Sequence, residues 1–142
     1  MSREDIYSAL FDKVKNIEGL LTVSRKLRHW DDVSSSEQPA LFMTQDGENP
    51  TNRRGMPTSW GFAVSFYLYC NAGSDRDAIP AKQINEYLDK IQEAIKPDMI
   101  TGYQDLGGLV RDVKIGGKIE TDEGLLGSQS VAIIPIEITL EE

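Results

Sequence analysis

Residues 59–70 hold the strictest pattern in the chain. Trp60, Phe62, Val64, Phe66, Leu68 and Cys70 alternate with Gly61, Ala63, Ser65, Tyr67 and Tyr69. A period of two sends successive side chains to opposite faces of a strand. One face is large and apolar. The other is small at one end and tyrosine-lined at the other. Ala132, Ile134, Ile136, Ile138 and Leu140 repeat the alternation as a final strand.

Two stretches carry the helical period instead. Ile6, Leu10, Val14 and Ile17 recur at spacings of four, four and three behind Ser2, a suitable N-cap, with Glu4 and Asp5 in the first turn. Gly19 stands where that helix would stop. Ile84, Leu88, Ile91 and Ile95, joined by Tyr87, form the second stripe. Pro80 suits its first turn and Pro97 ends it.

Weaker signals fill the rest. Leu21, Val23, Arg25 and Leu27 suggest a short strand, and residues 40–45 another. Residues 46–58, with Asp46-Gly47, Asn49-Pro50, Gly55 and Pro57, read as a loop longer than a hairpin needs. Residues 71–77 read as a turn and 98–108 as a loop. Residues 109–121 read as one extended strand with a bulge at Gly116-Gly117. Asp122-Glu123-Gly124 reads as a turn, and residues 124–129 as a short glycine-containing loop. The expected fold is α+β, in the order α-β-β-β-α-β-β. A mainly antiparallel sheet of about five strands, covered by two helices, buries both stripes. Residues 1–142 are expected to form a single domain, without repeats or low-complexity linkers.

Between the first two strands lies Trp30-Asp31-Asp32-Val33, then Ser34-Ser35-Ser36-Glu37, then Gln38-Pro39-Ala40-Leu41-Phe42. The serines supply little core, so the segment reads as a turn joining two strands. Pro39 lacks an N–H and belongs at the start or edge of a strand. Trp30 is the expected hydrophobic anchor of this joint, with Pro39 and Phe42 as its other fixed points.

Composition excludes several functions. The net charge of −8 argues against binding nucleic acid through phosphate contacts. Apolar residues at 39% and charged residues at 27% fit an ordinary folded chain rather than a disordered one. Cys70 is the only cysteine, so no intramolecular disulfide forms, and its place at the end of an apolar strand suits a small hydrophobe. The polar start reads as no signal peptide, and no apolar run is long enough to span a membrane. A cytoplasmic protein is expected.

No catalytic, cofactor-binding or metal residues are expected. His29 is the only histidine and stands beside Trp30 without an identifiable nucleophile and acid. One histidine and one cysteine do not make a structural zinc site. Asp31-Asp32, Asp75 with Asp77, and Asp122-Glu123 read as turn residues, without the spaced ligands of a calcium loop. Gly107-Gly108 and Gly116-Gly117 lack the Gly-Lys-Ser/Thr of a phosphate loop. Arg53-Arg54 is the one compact basic feature, either a solvated loop tip or an intermolecular contact. Tyr67 and Tyr69 are either sheet packing or interface residues.

Taken in order, several segments resemble the tail terminator, or tail completion, proteins of long-tailed bacteriophages. They are Ser24-Arg25-Lys26 before Trp30-x-x-Val33, Gln38-Pro39-Ala40-Leu41-Phe42, Pro80 opening a helix with Leu88 and Ile91, Leu106-Gly107-Gly108, and Val131-Ala132-Ile133-Ile134-Pro135-Ile136 after a glycine-rich turn. The resemblance covers nearly the whole chain and rests on order and spacing. It implies a non-enzymatic structural role in the virion tail or neck, assembled in the bacterial cytoplasm. Such proteins form a homo-oligomeric ring, usually a hexamer, on the head-proximal end of the tail tube. The ring ends tube growth and meets the head–tail connector. The implied partners are copies of itself, the tail tube protein and the connector, with DNA passing through unbound by sequence and no membrane. Other phage neck or minor tail proteins, and a small-ligand-binding α+β module, are the alternatives.

Overall fold

A computed structural model describes every residue except Ser74, and the backbone alone of Leu125 and Leu126. The fold is α+β, with a mixed six-stranded sheet and two helices. Helix α1 (Arg3–Val14) is followed by β1 (Thr22–Ser24), β2 (Ala40–Thr51), β3 (Ser59–Asn71) and helix α2 (Pro80–Ala94). Strands β4 (Asp112–Ile115), β5 (Glu120–Leu126) and β6 (Gln129–Glu141) complete it. The sheet runs β1-β2-β3-β6-β4, and β5 also pairs with β6.

The two alternating strands form the spine. β3 and β6 pair antiparallel in unbroken register from Ser59↔Glu141 to Asn71↔Gln129. That register places Phe62, Val64, Phe66, Leu68 and Cys70 on the same face as Ile138, Ile136, Ile134, Ala132 and Ser130. Both helices pack on this face. Ile6, Tyr7, Leu10 and Val14 from α1, and Ile84, Tyr87 and Ile91 from α2, join one core with it. Ser2 caps α1, its hydroxyl accepting from the Asp5 N–H at 3.3 Å, and Pro80 opens α2.

Where α1 gives way to β1, Gly19 adopts φ +97°, and a Cβ there would lie 2.2 Å from the Tyr87 hydroxyl. Both the backbone and the close approach require glycine. The short strand expected within 21–27 is β1, and it pairs parallel with β2 over Thr22↔Ala40 to Ser24↔Phe42.

Three expectations are corrected. The long loop at 46–58 shrinks to residues 52–58, because β2 continues to Thr51. The continuation is disguised by a bulge between Gln45 and Gly47, which leaves Asp46 unpaired and resets the alternation. Pro50 is tolerated because β1 does not reach it, so its missing N–H faces a sheet edge.

The single strand expected at 109–121 is two strands, split at Gly116-Gly117. The cause is Pro135 in the middle of β6. Its carbonyl accepts from the Gly116 N–H at 2.9 Å, so its ring nitrogen faces the same side and has no N–H to return. The ladder to β3 survives and the outer ladder breaks. A Cβ on Gly116 would lie 2.8 Å from that of Glu137, and one on Gly117 would lie 3.3 Å from Pro135 Cγ. Asp122-Glu123-Gly124, expected as a turn, lies within β5.

The opposite face of the sheet is only partly covered. Two short 3-10 turns, Trp30–Asp32 and Ser35–Glu37, lie over one end. Beneath them Val33, Ala40, Phe42 and Tyr69 form a second, smaller core. A buried amide pair ties this cover down. Gln38 Nε2 donates to the Val33 carbonyl at 3.1 Å and to Gln129 Oε1 at 3.0 Å, while Gln129 Nε2 donates to the Trp30 carbonyl at 3.0 Å. Pro39 follows a cis peptide bond and is buried, its carbonyl accepting from the Leu21 N–H at 2.9 Å. Trp30 packs on the rim of this small core and is half-buried, on the face away from the helices. Phe42, fully buried, is its centre.

Two stability outcomes follow from these placements. Gly19→Ala should cost about 2–4 kcal/mol from left-handed strain and displacement of Tyr87. A thermal melt tests it, and an unchanged Tm would show that Tyr87 swings aside freely. Phe42→Ala should cost about 3–5 kcal/mol, and Trp30→Ala no more than about half of that. Denaturant melts that rank the two in the reverse order would place the anchor at Trp30 instead.

Candidate interaction surface

The β2–β3 hairpin runs past the end of β1, forming an arm whose β3 strand stays paired with β6 out to its end residue, Ser59. Its underside is fixed to α1 by one carboxylate. The bulge shifts the phase so that Glu48, opposite Phe62, points to the helix side. There its carboxylate accepts from Arg3 Nε at 2.6 Å and from the Tyr7 hydroxyl at 2.7 Å. The Tyr7 ring stacks on Phe62 at 5.4 Å between centroids, and the Arg3 guanidinium lies 5.0 Å from the Trp60 ring centre. Burial alone would raise the Glu48 carboxyl, but the hydrogen bonds from Arg3 and Tyr7 outweigh it and hold the pKa below the ordinary value. Burial and the same carboxylate push the Tyr7 phenol well up.

At the end of the arm, Arg53 and Arg54 are exposed on residues 52–58, followed by exposed Met56. Among the described residues neither arginine takes part in an ion pair. A small recess of about 210 Å³ at the root of the tip is lined by Arg53, Met56, Pro57 and Arg111 among others. The tip is the loop part of what was expected as a long loop, and it keeps both candidate arginines on the surface.

The two candidate tyrosines part company. Tyr69 is 3% exposed and its hydroxyl donates to the Arg28 carbonyl at 2.8 Å. Burial pushes its pKa up to about 12. It is a packing residue within this chain. Tyr67, two residues away on the same face, lies at the margin of the 3-10 cover and stays half-exposed. Beyond it the sheet face is uncovered. At Gly61 a Cβ would meet nothing within 4 Å, and Ala63 is exposed.

The remaining candidates fall into local roles. His29 Nδ1 accepts from the Asp31 N–H at 3.2 Å and caps the first 3-10 turn. Asp75 accepts from the Asp77 N–H at 2.9 Å, a closed Asx turn. Cys70 is buried, and burial pushes its thiol up to about 12. Among the described residues no group of three or more His, Cys, Asp or Glu side chains is placed to hold a metal. A recess of about 490 Å³ between the end of α2 and β4 mixes Asp89, Glu93, Lys96 and Lys114 with Ile95 and Val113. No helix among the described residues is long and apolar enough to cross a membrane.

One surface feature was missed from the sequence. Met99 and Ile100 are 99% and 95% exposed. They crown a turn locked by Asp98, whose carboxylate accepts from the N–H groups of Ile100 and Thr101 at 2.8 and 3.1 Å. Those two backbone bonds hold the Asp98 carboxyl below its usual range. Two adjacent large apolar residues in a loop, directly after Asp98, were the available signal.

No protein-family model matches the chain, and no curated protein matches it in sequence.

The Glu48 contact sets an acid dependence. Because the folded pKa is depressed, its stabilisation is present above the unfolded value of about 4.5 and is lost as pH falls through the depressed value. Glu48→Gln should lower the Tm at neutral pH and flatten its decline below pH 4.5. A variant that declines as steeply as the parent would show that other carboxylates carry the acid sensitivity.

Proposed function

We propose that this chain is a structural protein of a long-tailed phage particle, a subunit of a ring, a hexamer, that caps the head-proximal end of the tail tube. In this role it ends tube polymerisation and offers the docking surface for the head connector. It acts without catalysis, metal or cofactor, in the tail or neck of the virion after assembly in the bacterial cytoplasm. The residues that support the reading are those of the resemblance. The observation that carries it is the arm itself, which presents a basic tip at one end of a sheet whose own second face is half uncovered. Two different patches on one small chain suit head-to-tail contacts, and such contacts close into a ring when their rotation permits. An acidic chain suits a passage that DNA must traverse without sticking.

Two experiments test this. Native mass spectrometry of the purified protein should show a ring, and tails assembled without the protein should lack a uniform length under the electron microscope. A monomer at every concentration, together with tails of normal length in its absence, would remove the proposal.

A further inference from the structure

The uncovered half of the sheet's second face has a defined chemistry. Its middle is Tyr67 on β3 with Ile133 and Pro135 on β6, all half-buried. Tyr67 stands opposite Ile133, and Ser65 opposite Pro135. The rim is mostly carboxylate. Glu120 on β5 stands opposite Ile133, and Glu137 stands opposite Ala63; both are exposed. Asp46, exposed at the β2 bulge, accepts a hydrogen bond from the Ser65 hydroxyl. Lys114 on β4, opposite Glu137, is the one cation that the register places beside them.

The tip of the arm has the complementary chemistry: two arginines and a methionine, all exposed. It cannot reach the apolar middle of that face on its own chain, although Glu137, opposite Ala63, stands only four residues, about 13 Å, from Ser59. Tyr67 lies eight residues along β3 from Ser59, where the tip begins, and both residues are held in the ladder with β6. Eight residues of strand span about 26 Å. Surfaces that match but cannot meet within one chain can meet between two. Because the patches differ, the contact is heterologous.

We propose that Arg53, Arg54 and Met56 of one copy dock on the Tyr67, Ile133 and Pro135 face of a second copy, with the guanidinium groups engaging Glu120 and Glu137. The proposal names the contact inside the ring proposed above and rests on that reading. A guanidinium stacks on a tyrosine face and binds carboxylates through two parallel N–H groups. Methionine, unbranched and polarizable, suits packing against a tyrosine, an isoleucine and a proline side by side.

The test is a charge exchange on the full chain, read by sedimentation velocity and native mass spectrometry. One variant carries Arg53→Glu and Arg54→Glu; another carries Glu120→Arg and Glu137→Arg. All four positions are exposed, so each variant should stay folded, with a modest fall in Tm where Glu137→Arg faces Lys114. Each alone should self-associate at least about tenfold more weakly than the parent. The two mixed in equal amounts should assemble again, since each tip then faces a rim of opposite sign. A single chain carrying all four changes should assemble unaided. If the parent forms rings and the arginine variant does so equally well, this contact is overturned while the ring reading stands. Failure of the mixture and of the fourfold variant to assemble, with each still folded, overturns it too. A parent that stays monomeric throughout overturns both.

Discussion

The fold hangs on one ladder. The β3–β6 pairing carries thirteen registered residue pairs, and β2, β4 and β5 each bond to one of its two strands. Its register decides which side chains meet the helices, since a slip of one residue would turn every apolar side chain of one strand to the wrong face. The large apolar sets, Phe62 to Cys70 and Ala132 to Leu140, make that slip costly. Ile6, Leu10, Ile84 and Ile91 are buried in one cluster with them. Helices and ladder therefore specify each other.

The two faces of the ladder are stabilised differently. The helix side is an ordinary apolar core. The other side is closed only at one end, and polar bonds position its cover: the Gln38–Gln129 amides, the Tyr69 hydroxyl on the Arg28 carbonyl, and the Arg28–Glu37 ion pair at 2.6 Å. That pair is more than a third exposed at both ends, so its contribution is small beside the buried amides. Burial under this cover separates Tyr69, a packing residue, from Tyr67, which remains at the surface.

Much of this architecture was readable in the sequence where pattern and contact are local. Both helices and the ladder strands follow from period, caps and breakers, while Gly116-Gly117, expected as a bulge within one strand, is where the chain divides into β4 and β5. The misreadings have a common origin in non-local pairing. Asp46-Gly47 and Asn49-Pro50 carry turn chemistry, yet they lie in a strand because β3 offers them a partner. Asp122 and Glu123 have poor strand propensity, yet they pair because β6 extends beyond the reach of β4. Pro135 shaped the far edge from within a strand that otherwise looked uniform. Of the candidate surface, Arg53 and Arg54 were legible as an isolated basic pair. The contrast between Tyr67 and Tyr69 was not, because it depends on where residues 30–38 settle.

The bulge at Asp46 constrains how such an arm can change length over evolution. Glu48 reaches Arg3 and Tyr7 only because one supernumerary residue precedes it. Losing that residue, or gaining another single one before position 48, would rotate the carboxylate to the far face and leave Arg3 and Tyr7 without their shared acceptor. Beyond Glu48 the arm can lengthen only by matched pairs of residues in β2 and β3 if the inward and outward sets are to be kept. Insertions and deletions in the arm should therefore come in even steps, shifting the tip outward or inward by roughly 7 Å for each added or removed pair. The reach of the arginines is quantised, so a changed spacing between subunits would have to be met in whole steps.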